Sequence, residues 1–279
     1  MFIVDAQVHI WAANSAERRW VSKPAAHRDT PLTAGELLHE MDGAGVSRAV
    51  LIPPGFDGLR NDLILAAAQQ YPDRFCAVGR LDADAANARE RIATWRDQPG
   101  MKGMRFTFTK GLGPALADGR LEWVWSEAEK AGVPIMMLVP HEMMHLVDGI
   151  AARYPTLKLT MSHLGLETDT RDDEAFRLFD NLFPLAKRPN VMVTASALPT
   201  YTSDAYPFRR LHTHIRRVYD AFGPERMFWG TDFSRLTCSY QEAINLFTEE
   251  LPWLSNQDKE TIMGRGLCRW LGWDVPGIK

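Results

Sequence analysis

Cysteine is scarce in this chain, and what there is lies scattered. The 279 residues hold Cys 3, at Cys76, Cys238 and Cys268. That spacing fits no zinc or redox motif, and an odd count leaves no complete set of internal disulfides. Charge imbalance is missing as well. Lys+Arg 32 against Asp+Glu 35 leaves a net charge of -3, which supports neither nucleic acid nor a membrane surface as partner. No apolar run reaches the ~18 residues of a membrane span. The opening MFIVDAQVHIW has no basic segment ahead of a long apolar one, so no signal peptide is expected and a cytoplasmic protein is. No Gly-rich phosphate loop follows the first apolar run, and no G-x-S-x-G elbow occurs. Histidine is sparse, with His 8, so each one has to be placed.

What is present describes a globular enzyme-sized domain. Hydrophobic residues make up 46% and charged residues 24%, enough to bury a core without staples and too apolar for disorder. Short apolar runs at 2–9, 48–52, 75–79, 103–106, 134–139, 157–162, 191–195 and 227–230 read as eight strands. Helical patterns lie between them. Thr33 with Glu36 forms a capping box, Gly45 and Gly132 sit where left-handed stops belong, and unbroken helices are expected over 172–186 and 256–271. Eight strand–helix units predict a parallel sheet closed into a single (β/α)8 TIM barrel over 1–279, in preference to an open doubly wound sheet. The long segments 11–31 and 197–207 both follow strands and are expected to wall or cover the C-terminal mouth. Trp11 and Trp20 in the first of these are candidates for lining a pocket or an oligomer contact, and homo-oligomers are allowed; the other tryptophans named in helical patterns read as packing.

Polar residues at strand ends supply the candidate chemistry. Asp5, Gln7 and His9 alternate along the first strand, which points all three toward the barrel interior if the register holds. His163 ends the sixth strand in TMSHLG, and Asp232 follows the eighth in FWGTD. A carboxylate beside two imidazoles can bind a metal or act as general base on water, so His9, His163 and Asp232 are the candidate catalytic residues. Arg105, Arg80 and Arg235 are candidates to grip a small acidic substrate, with Ser196 and Tyr201 as hydroxyl donors. His141-Glu142-Met143-Met144-His145 has the letters of H-E-x-x-H, but it starts straight after Pro140 at a strand exit. His141 is therefore expected to be a substrate-contacting rim residue. His212 and His214 diverge on a helix; His27 and His39 read as loop and helix surface.

Taken in order, DAQVHIW, LLHEMDGAGVSRAVLI, YPDRFCAVGRLD, MKGMRF, TMSHLG and FWGTD resemble the amidohydrolase-related family, nearest its small-lactonase branch of pyrone-dicarboxylate, sugar and muconolactone lactonases. The resemblance implies a barrel of the metal-dependent hydrolase type. It also implies an Asp-x-His-x-His first strand, of which Asp5 and His9 remain while Gln7 replaces the first histidine. Relatives carry a histidine near the end of the fifth strand, where this chain has Leu138. The expected cofactor is thus none, or one weakly held divalent metal (zinc or manganese) on His9, His163 and Asp232. The implied reaction is water attack on a lactone, with Asp232 taking the proton. His9 and His163, aided by Gln7, would polarise the carbonyl, and Arg105 and Arg235 would hold substrate carboxylates. A zinc-dependent decarboxylase of aromatic or muconate-like acids and a non-catalytic binding barrel are the alternatives.

Overall fold

Each apolar run emerges as a strand. The computed structural model describes residues 1–23, 28, 30–109 and 113–275. Its strands are β1 (Val4–Val8), β2 (Arg48–Leu51), β3 (Phe75–Arg80), β4 (Met101–Thr107), β5 (Ile135–Leu138), β6 (Leu159–Met161), β7 (Val191–Ser196) and β8 (Met227–Gly230). They pair in sequence order, all parallel. The result is a nearly closed (β/α)8 barrel. Val4, Ala6, Val50, Val78, Met136, Met192 and Phe228 pack together inside it, and Leu267, Cys268 and Trp273 plug the end where the strands begin. The opposite strand faces meet the helices in a larger apolar cluster that buries Trp95, Trp125 and Trp229. Thr33 and Glu36 form both halves of the capping box, and Gly45 stops that helix at φ 72.

Two expected helices are broken, each for a local reason. The run 172–186 is a helical turn at Asp172–Ala175 followed by a 3-10 stretch, Phe179–Lys187, with Pro184 inside it. Proline there has no N–H to give and its ring crowds the preceding turn. The last helix splits into Asn256–Glu260 and Gly266–Leu271 around a wider turn, Thr261–Arg265. At Gly264 a Cβ would stand 2.7 Å from the Phe2 carbonyl oxygen. The start of β1 leaves no room for a side chain at that point of the wider turn.

The seam between β8 and β1 is closed largely by side chains. The register between β1 and β2 shifts between Asp5 and Val8. Ala6 stays in the interior cluster, while Asp5 leaves the common direction expected of it and turns into the seam. Its carboxylate accepts from the Thr231 N–H (2.9 Å), the Thr231 hydroxyl, the Tyr240 hydroxyl (2.8 Å) and the Gln7 N–H (3.1 Å). The Asp232 N–H donates to the Gln7 carbonyl at 3.0 Å. Asp5 is fully buried, and burial outweighs those four bonds, pushing its carboxyl up to about 6.

The described parts of both long segments are docked. Arg18 pairs with Asp62 at 2.6 Å and with buried Asp57. Trp11 and Trp20 both meet the Phe56 ring edge-on, at 5.8 and 5.0 Å. Trp11 is buried, so it is a packing residue and offers no surface to a second subunit. His27 lies outside the described residues. In the second segment Tyr201 is buried, the Ser203 N–H donates to Asp172 at 2.9 Å, and Tyr206 donates to Glu250 at 2.8 Å.

Candidate active site

The β1 bulge delivers Gln7 and His9 to the C-terminal mouth. His9 lies just past the strand. Its Nδ1 is 2.7 Å from the Ile52 carbonyl oxygen, so Nδ1 carries a proton and Nε2 is turned into the mouth. Gln7 is buried. Its amide nitrogen lies 3.0 Å from His163 Nε2 and 3.5 Å from His9 Nε2, and its amide oxygen accepts from Arg105 at 3.3 Å.

His163 arrives on a strained turn after β6. It and Leu164 both take left-handed backbone angles, φ 54 and φ 55, a conformation that non-glycine residues hold only when the surroundings enforce it. The enforcing contacts are visible. The His163 N–H donates to the Thr194 hydroxyl at 3.3 Å, and Nδ1 lies 2.9 Å from Ser196 Oγ and 3.3 Å from the Ser196 carbonyl. Complete burial pushes the imidazole down to about 3, so His163 is neutral at physiological pH.

That shift makes a prediction for stability. His163 resists protonation in the fold but takes a proton near its ordinary 6.5 when unfolded. In that window the unfolded chain binds more protons, so stability falls as pH drops from about 6.5 toward about 3. Urea titrations at pH 7 and pH 4.5 should show His163→Gln losing less stability on acidification than the unsubstituted protein.

Asp232 sits beyond β8 at φ 49, a left-handed position that Asp and Asn tolerate best among ordinary residues. Its Oδ1 is 3.2 Å from His9 Nε2, and its Oδ2 is 3.7 Å from both His163 Nε2 and Arg235 Nη1. Burial on its own would raise this carboxyl. The positive groups, His9 foremost, outweigh it and hold Asp232 well below the usual carboxylate range. With His163 neutral, the weight falls on His9 and Arg235. Although His9 Nε2 lies 3.2 Å away, Oδ1 has no hydrogen-bond partner among the described residues. The carboxylate is ionised, buried and free to accept. Side-chain exposure of 15% at His9 and 13% at Arg235 gives the cluster its route to solvent.

The arginines are less free than the sequence implies. Arg105 is buried, and one of its end nitrogens serves both Gln7 Oε1 and the Ser162 hydroxyl. Burial, together with the charge of Arg80, pushes it down to about 9. Arg80 donates to the Pro53 carbonyl at 3.1 Å. Tyr201 is within 3.5 Å of the Leu166 carbonyl, and burial raises its phenol. Ser196 is fully buried behind His163, where it holds the ring. His141 stands apart from the cluster. Its Nε2 meets the Leu164 carbonyl at 2.9 Å, its ring edge faces Phe179, and it lines a separate cleft with Glu142, Glu167 and Arg177. His141 belongs to a 3-10 turn, His141–Met143, while exposed His145 lies in the first turn of the helix beyond, Met144–Arg153, and bonds the Glu142 carbonyl. The H-E-x-x-H letters are thus divided between two elements. Sequence reading missed Ser162, Thr194, Thr231 and Tyr240. Only the alternation of Thr194 and Ser196 along β7 hinted at them.

A divalent cation fits this cluster poorly. Its candidate ligands are His9, His163 and Asp232, and no group of three His, Cys, Asp or Glu among the described residues has metal-binding geometry. The Gln7 amide nitrogen, a donor with no lone pair to offer, points at His163 Nε2 where a cation would need an electron pair.

Comparison with known proteins follows the same outline. The family model described as Amidohydrolase matches residues 4–265. An L-fucono-1,5-lactonase of Burkholderia ambifaria is 26% identical over 247 residues, covering 83% of this chain and 80% of that protein. An amidohydrolase of Burkholderia multivorans, solved with zinc bound, superposes with a TM-score of 0.82 at 21% identity over 98% of this chain and 99% of that one. The "probable 2-pyrone-4,6-dicarboxylic acid hydrolase" of Acinetobacter baumannii, solved with citric acid bound, gives 0.79 at 17% identity over 98% and 100%. The structural likenesses speak for the fold.

Proposed function

The chain belongs to the amidohydrolase family, and from that premise we propose that it is a lactonase, opening a small lactone to its hydroxy acid. The observation that carries this reading is the ionised, buried Asp232 carboxylate facing His9, His163 and the Gln7 amide across the barrel mouth. The sequence relationship to an L-fucono-1,5-lactonase supports it.

In the proposed reaction Asp232 takes a proton from water as the oxygen attacks the lactone carbonyl carbon. The carbonyl oxygen gains charge beside His9 Nε2 and is met by the second Gln7 amide hydrogen, which turns to it from its 3.5 Å contact with His9 Nε2. His163 polarises the carbonyl indirectly, by orienting Gln7. The ring C–O bond then breaks, and the proton held by Asp232 passes to the departing ring oxygen. A carboxylate held this low is a weak base. It suits an activated ester such as a lactone better than an amide. Arg235, at the exposed edge of the cluster, and Arg80 are proposed to take a carboxylate or hydroxyl of a small acidic substrate, while Arg105 gives one end nitrogen to Gln7 and Ser162.

The test is acid release from a panel of sugar δ-lactones and carboxylated lactones. Ring opening without carbon dioxide is expected; carbon dioxide from an aromatic or muconate-like acid would establish the decarboxylase instead. No tightly held metal takes part in this reading, on the strength of the Gln7 amide. Turnover should survive exhaustive chelation. Stoichiometric zinc in the purified protein, with activity lost on chelation, would overturn that part.

A further inference from the structure

We infer that Arg105 is a positioning residue: with Ser162 it fixes the Gln7 amide, and through Gln7 it selects the tautomer of His163. The inference rests on the lactonase reading for its kinetic consequence, but the tautomer itself is a property of the free protein.

The chain of contacts runs one way. A guanidinium has only hydrogens to offer, so the Gln7 atom 3.3 Å from Arg105 Nη1 is the amide oxygen. The amide nitrogen is thereby turned to His163 Nε2, 3.0 Å away. An amide nitrogen only donates, so His163 Nε2 presents its lone pair and the ring proton sits on Nδ1. There Ser196 Oγ at 2.9 Å and the Ser196 carbonyl at 3.3 Å are both able to accept. Thr194 Oγ1 braces this end, 3.0 Å from Ser196 Oγ and accepting the His163 N–H. Reversing the amide would set donor against donor at Arg105. It would also drive the ring proton to Nε2 and aim the Nδ1 lone pair at the Ser196 carbonyl. The Ser196 hydroxyl could turn to donate to that lone pair, so the selection is made at the Arg105 end, with the Ser196 carbonyl adding to it.

The arrangement spends one Gln7 N–H on His163; the second makes only the longer, 3.5 Å contact to His9 Nε2 and can turn to the reacting carbonyl. Arg105 thus acts from behind the substrate. A role in gripping substrate would raise KM when Arg105 is removed and would leave the ring of His163 unchanged. A positioning role lowers kcat and moves the ring proton.

The experiment uses the full chain with 15N-labelled histidine, assigned with His163→Gln. Long-range proton–nitrogen spectra of the free protein at neutral pH should show His163 protonated at Nδ1 and bare at Nε2. Arg105→Met should populate the Nε2-protonated form and lower kcat on a lactone by on the order of 10- to 10²-fold, with KM within about twofold. Gln7→Glu offers a second route should Arg105→Met not fold. Glutamate still accepts from Arg105 but has no hydrogen to give, so the proton should move to Nε2. A His163 already protonated at Nε2, or one unmoved by either substitution, overturns the inference. Failure of the unsubstituted protein to open any lactone would sink the proposed function instead, and the spectra would still decide the tautomer.

Discussion

Replacing Asp232 with Asn is expected to lower kcat on a lactone by about 10²–10⁴-fold, the usual contribution of a positioned base. The substitution is chosen to be quiet elsewhere. Asparagine keeps the volume, tolerates the left-handed backbone at φ 49, and leaves the Asp232 N–H bonded to the Gln7 carbonyl. What it removes is the ability to take a proton, and with it the negative charge between His9 and Arg235. KM should change less than kcat, because Arg80 is untouched and Arg235 loses only a 3.7 Å ion pair. Steady-state kinetics beside a melting curve check the claim. Full turnover by a well-folded Asp232→Asn protein would remove Asp232 from the mechanism.

The largest effect on stability is expected at Asp5. Asp5→Ala takes the acceptor away from the Thr231 N–H, the Thr231 and Tyr240 hydroxyls and the Gln7 N–H, all at a buried seam. Each buried donor left unpaired costs about 1–3 kcal/mol. Some will find other partners, so a loss of roughly 3–5 kcal/mol is expected, or on the order of 10 °C in Tm for a chain of this size. Asp5→Asn is the informative companion. The folded carboxyl titrates at about 6, above its ordinary 3.8. Within that window the folded state holds the proton more tightly than the unfolded one. The contribution of Asp5 to stability is therefore full below about 3.8, is lost as pH rises to about 6, and is flat above. Asp5→Asn should abolish that decline. Urea titrations across pH 4 to 7 measure it. They should show Asp5 opposing the His163 contribution, which grows with pH over the same range.

Much of the barrel could be read from alternation and caps alone. The eight apolar runs, the Thr33–Glu36 box and the Gly45 stop all obey local rules, and local rules suffice where a strand is buried on both faces. His9, His163 and Asp232 were legible because each stands immediately past a strand, where this architecture gathers its side chains. The departures are all tertiary. No periodicity announces that a bulge sends Asp5 into the seam while Gln7 and His9 turn to the mouth. Arg105 has the look of a substrate clamp, and no pattern announces that Gln7 and Ser162 share one of its end nitrogens. Ser196 reads as a free hydroxyl until His163 is found in front of it. The last helix gives way around Gly264, where Phe2, more than two hundred residues earlier, leaves no room for a side chain.

Closure of the seam is expected to come last as the molecule assembles. Asp5 and Thr231 are separated by 226 positions along the chain. Their meeting closes the longest loop the strands make, and contacts of such separation form late. Gln7 and Asp232 flank that same junction. No half-barrel fragment can own this site, and a refolding chain should regain far-ultraviolet signal well before it regains turnover. Activity would then serve as a clock for the final step of closure.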